Sequence, residues 1–89
     1  MSRDDKLEKL YSVIAGLNDP QVCREFFDDL CTHKELEKMA ERVYATELLM
    51  EGKTYHQVIA ETDISSATLS RVSRCVQYGT GYSKVLKKD

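Results

Sequence analysis

Between Gly52 and Ser65 the chain carries one helix stop and two helix starts, set so close that only a short helix fits between them. Gly52 is the stop, because a residue without Cβ takes the left-handed conformation that ends a helix. Thr54-x-x-Gln57 follows two residues later and has the form of a capping box, in which side chain and backbone satisfy each other's free groups. The spacing predicts a brief helix over 55–62. Asp63-Ile64-Ser65 then makes a turn, and Ser65 stands where it can cap a further helix over 66–78. A short helix, a three-residue turn and a longer helix must pack on each other across the turn. Val58, Ile64, Leu69 and Val72 are spaced to knit them together and fix their angle.

The preceding residues read as three more helices. Leu7, Leu10, Tyr11, Ile14 and Leu17 recur at helical spacing and predict a first helix over 4–17. Asn18-Asp19-Pro20 ends it. Asp19 can cap a second helix whose first position is Pro20, where the missing N–H costs nothing, and Val22, Phe26, Phe27 and Leu30 form its apolar face. Thr32-x-x-Glu35 is another capping-box pattern and opens the third and longest helix. Leu36, Met39, Ala40, Val43, Leu48, Leu49 and Met50 give that helix a broad apolar surface. Such a helix needs cover on more than one side, which a neighbouring subunit would supply. Gly79-Thr80-Gly81 is expected to end the 66–78 helix flexibly, with 82–89 adding one turn or fraying. Repeats and strand-like alternation are absent from the sequence, so the fold class is all-α, with five to six helices.

Eighty-nine residues fit one domain, 1–89, whose modest core favours a dimer that shares it. The composition, 42% hydrophobic and 31% charged, is that of a globular chain. Apolar stretches fall short of the ~20 residues a membrane span needs, and Met-Ser-Arg-Asp-Asp-Lys is no signal peptide, so a cytoplasmic location is expected. Cys23, Cys31 and Cys75 are odd in number and lack paired spacing, and Cys31-Thr32-His33 has no accompanying C-x-x-C. The reading is three free, mostly buried thiols and no metal or other cofactor. His33 and His56 lie far apart, and Asp28, Asp29, Glu35, Glu37 and Glu41 read as solvated helix faces. With neither a phosphate loop nor a nucleophile motif, an enzyme is not expected.

Charge is divided along the chain. Residues 1–63 hold eight Lys or Arg against fourteen Asp or Glu, a net −6, whereas 64–89 hold five against one, a net +4. Binding of phosphate by one end of the molecule requires such a division. The basic end overlaps the last strongly patterned helix, whose outer face is Ser66, Ala67, Thr68, Ser70, Arg71 and Arg74. Small residues let a helix sit deep in a major groove, where Ser or Thr bonds base edges and Ala touches a thymine methyl.

Leu30-Cys31-Thr32, Glu41-Arg42-Val43, Leu48-Leu49 to Gly52 and Ala67-Thr68-Leu69-Ser70-Arg71 together resemble the tryptophan-operon repressor superfamily. Ser-Ser-Ala-Thr-Leu-Ser-Arg-Val over 65–72, followed by Tyr-Gly-x-Gly-Tyr, is most similar to its small YerC/YecD branch. The resemblance implies an intertwined helical homodimer, with dimerisation helices in 1–53 and a helix-turn-helix in 54–78. It also implies transcriptional repression through double-stranded operator DNA. Ser66, Ala67 and Ser70 would face bases, with Thr68 and Arg74 nearer phosphates. For a small-molecule effector, Arg42 and Arg71 match two arginines that sandwich an indole ring, and Thr32 matches a residue at the pocket's edge. Val72 stands where the repressor has glycine, and Cys75 where a serine binds the ligand's amino group. Asp63 fills a turn position usually held by glycine, which Asp tolerates. Val72 and Cys75 lead to the expectation that tryptophan is not the effector. A helical interaction module with the same fold, having lost DNA binding, is the alternative from another class.

Overall fold

Side-chain caps set where helices begin in the computed structural model, which describes residues 1–87. Ser2 opens α1 (Arg3–Ala15), Asp19 opens α2 (Pro20–Leu30), Thr54 opens α4 (Tyr55–Glu61) and Ser65 opens α5 (Ser66–Tyr78). The long α3 (His33–Met50) and the short α6 (Gly81–Leu86) complete an all-α order without strands among the described residues.

The ends differ from expectation for local reasons. Ser2 Oγ accepts the Asp5 N–H at 3.1 Å while the Ser2 N–H donates to Asp5 Oδ2 at 3.1 Å, a capping box built with Asp in place of Glu or Gln. The helix therefore starts a residue earlier than its apolar stripe indicates, and it stops at Ala15, with Gly16 as its C-cap. At the end of α4 the Thr62 hydroxyl donates to the Val58 carbonyl and accepts the Ile64 N–H, which turns the chain out one residue early. Gly81 lies inside α6, and of the two outcomes expected for the tail, a helical turn or fraying, Gly81–Leu86 takes the helical one, starting a residue early. Gly52 has φ +90°, and a Cβ there would meet nothing within 4 Å, so the need for glycine is conformational.

The chain divides into two units, Met1–His33 and Lys34–Asp89. In the first, neither α1 nor α2 has a buried residue. Phe26 and Phe27 meet edge to face at 5.6 Å, yet Leu7, Tyr11, Val22 and Leu30 remain exposed. The second unit holds the core. Ala45 and Leu48 of α3, Val58 of α4, Ile64 of the turn, and Leu69 and Val72 of α5 are buried together. Leu49, Val76 and Tyr82 pack against them. Closing each Leu, Val or Ile stabilises the unit by about 1.5–3 kcal/mol. The polar residues buried with them are satisfied, since Thr46 Oγ1 donates to the Arg42 carbonyl at 2.7 Å.

Some sequence readings change. Cys23, Cys31 and Cys75 are free as expected, but each is half-buried where mostly buried thiols were expected. All three lie on or beside helix faces that one chain covers only in part. No helix among the described residues is long and apolar enough to cross a membrane.

Candidate nucleic-acid interface

The face of α5 follows from its periodicity. At ~100° per residue, Leu69, Val72, Ser73 and Val76 occupy one arc, while Ser66, Ala67, Ser70, Arg71 and Arg74 spread over about 140° of the other. Leu69 is fully buried and Val72 is 2% exposed, so the inner arc is locked into the core. The five outer residues are all exposed. Thr68 stands at the border, half-buried. Its N–H donates to Ser65 Oγ at 3.2 Å, and its hydroxyl accepts from the Ser65 hydroxyl at 3.0 Å. Ser65 therefore caps the helix and orients Thr68 at once.

The turn before α5 is held in three ways. Ile64 is buried in the core beside Val58 and Leu69. Ser65 caps the next helix. The Asp63 N–H donates to Glu41 Oε2 of α3 at 3.2 Å. The sequence reads Glu41 as solvated, and the structure corrects that reading. Only the fold brings a residue 22 positions away to the turn, and nothing local in the sequence marks the partner. With Lys34, Lys38, Arg42 and Asp63, Glu41 lines a polar groove of about 680 Å³ between α3 and the turn. Two other acids grouped with it, Glu35 and Glu37, are also engaged in interactions.

A second, more apolar cavity of about 740 Å³ lies on the other side of Arg42 and Thr68, which border both spaces. Of the expected effector residues, Arg42, Arg71, Val72 and Cys75 meet on its wall. Thr32 belongs to the N-terminal unit. Val72 packs into the core with nearly its whole surface, and an open volume remains beside it. Tyr82, Val85 and Leu86 of α6 complete the lining, and the sequence reading did not include them. Their i, i+3, i+4 spacing was the available signal. At the end of α5, a Cβ on Gly79 would lie 2.7 Å from the Cys75 carbonyl oxygen, so only glycine lets the chain pass from α5 toward α6 this closely.

The basic residues Arg71, Arg74, Lys84 and Lys87 are exposed, whereas Lys88 lies outside the described residues. Groups of three or more His, Cys, Asp or Glu placed to hold a metal ion are absent among the described residues.

Comparison with known proteins gives a consistent picture. The family model described as Trp repressor protein matches residues 5–89. An uncharacterized protein, YerC of Bacillus subtilis (strain 168), is 46% identical over 77 residues, spanning 86% of this chain and 74% of its own. A candidate Trp repressor from Staphylococcus aureus, solved by crystallography, superposes with a TM-score of 0.83 at 33% identity, over 97% of this chain and 92% of that one. A TrpR-like protein from Eubacterium eligens ATCC 27750 gives a TM-score of 0.85 at 34% identity, over 93% and 87%.

Proposed function

Because this chain belongs to the Trp repressor protein family, we propose that it is a sequence-specific DNA-binding transcriptional regulator, acting as a repressor. The observation that carries the reading is the division of α5 into a locked arc and an exposed one. A reading helix must be rigid, free on one side and small at its leading end, and α5 has these properties. Ser66, Ala67 and Ser70 are assigned to bases, and Thr68, Arg71 and Arg74 to the backbone. The basic end compensates for a chain whose overall charge is −2, because the acidic residues lie mostly in 1–63.

The working form is a cytoplasmic homodimer. Residues 1–53 supply the association helices and 54–78 the helix-turn-helix, so that two copies of α5 engage two half-sites. The apolar cavity beside Arg42 and Arg71 has room for a small-molecule effector other than tryptophan, the alternative being a regulator that works without one. The α1 and α2 helices, with no buried residue in one chain, support the dimer because they leave apolar faces to be covered.

Selection of bound fragments from a random double-stranded DNA pool, followed by titration at several salt concentrations, tests the function. An enriched, two-fold-related motif whose affinity falls linearly on a log–log salt plot is expected. A pool with no enriched member and no binding at low salt overturns the reading and leaves the interaction module.

A further inference from the structure

We propose that Glu41 is a positioning residue, whose carboxylate holds the turn between α4 and α5 and thereby sets the pose of α5 against α3. Three successive residues of that turn are fixed from three directions. Ile64 is anchored by its buried side chain, Ser65 by its cap on α5, and Asp63 by its N–H on Glu41 at 3.2 Å. The side chain of Ile64 ties the turn into the core that α3, α4 and α5 share, and Ser65 ties it to α5. The third is a polar tether that fixes the backbone of the turn to α3, at a residue 22 positions earlier in the chain.

Charge makes the role separable from simple electrostatics. Asp63 shares the groove with Glu41, and both lie beside the leading end of α5. On the DNA-binding reading, on which this proposal's functional consequence rests, a negative charge here opposes approach of the phosphate backbone. Removing the charge alone should strengthen DNA binding, whereas removing the acceptor should loosen the turn and weaken it. Glu41→Gln takes away the charge and keeps an oxygen of similar reach. Glu41→Ala takes away both.

The two variants are compared by hydrogen exchange and by titration with the DNA selected by the wild-type protein. The Asp63 amide is expected to exchange about fivefold faster in Glu41→Ala than in Glu41→Gln, as loss of one hydrogen bond implies, with Val72 and Ser73 amides unchanged. DNA affinity should be lower in Glu41→Ala than in Glu41→Gln by a similar factor, at equal salt slope. Equal exchange at Asp63, or equal DNA affinity, overturns the proposal. Uniform acceleration that includes Val72 and Ser73 reduces Glu41 to a general stabiliser and overturns it too. If the wild-type protein binds no DNA, the functional reading falls, and the exchange comparison still decides whether Glu41 holds the turn.

Discussion

Arg74 and Ser70 are one helical turn apart on the exposed arc of α5, yet their substitution should have different consequences. A guanidinium that meets a phosphate carries no sequence information. Arg74→Ala is therefore expected to weaken binding to all sequences alike and to reduce the log–log salt slope by about 0.9, read from filter binding or anisotropy titrations. A hydroxyl on a base edge does carry it. Ser66→Ala or Ser70→Ala should relax preference at one half-site position by roughly 1–3 kcal/mol of discrimination, measured against substituted operators. In the cavity, Cys75 offers only a weak sulfur acceptor to an ammonium group, which costs about 1 kcal/mol or more against an oxygen acceptor. Val72 turns nearly its whole surface into the core, so the expectation rests on Cys75. Calorimetric titration with L-tryptophan is expected to show no saturable binding in the micromolar range. Saturation there, with stronger DNA binding, would refute this expectation.

Helix boundaries depend on caps more than on interiors, and the caps carry measurable energy. Ser65→Ala removes the acceptor for the Thr68 N–H and should destabilise the protein by about 0.5–2 kcal/mol in urea denaturation. Gly52→Ala meets no steric barrier but must hold φ +90°, so a loss of about 1 kcal/mol or more is expected in the same assay. These signals explain why 54–78 is legible in the sequence. Thr54, Gln57 and Ser65 act within three or four positions of themselves, and α5 has the expected bounds, Ser66–Tyr78. The capping box at Ser2 is equally local, but its Asp5 is shorter than the usual partner and disguises the pattern. Glu41 is illegible because its hydrogen bond to Asp63 exists only once α3 lies beside the turn. The inner wall that α6 gives the cavity is hidden because two glycines within three residues read as an ending. Gly79 instead permits a close passage, and Gly81 is already helical.

The whole molecule keeps its closed core in one unit and leaves the other with helices whose apolar faces bury nothing fully. Sedimentation or light scattering at micromolar concentration should therefore give twice the chain mass, and a stable, cooperatively folding monomer would refute the dimer. Val22→Asp provides a sharper test. Val22 is exposed in the single chain and lies in the first turn of α2, where an added carboxylate favours the helix itself. Val22 is still half covered by its own chain, so the oligomeric state is the decisive readout, and the variant should sediment as a monomer. The separation of core from uncovered helices also has a genetic consequence. On the dimer reading, a subunit altered on the outer arc of α5 would keep its own core and its association surface and would pair with unaltered subunits. In a cell that makes both kinds, most dimers would carry at least one blunted helix, and Arg74→Ala should behave as a dominant allele. A subunit altered at Val22 drops out of the exchange, leaves its siblings untouched, and should be recessive.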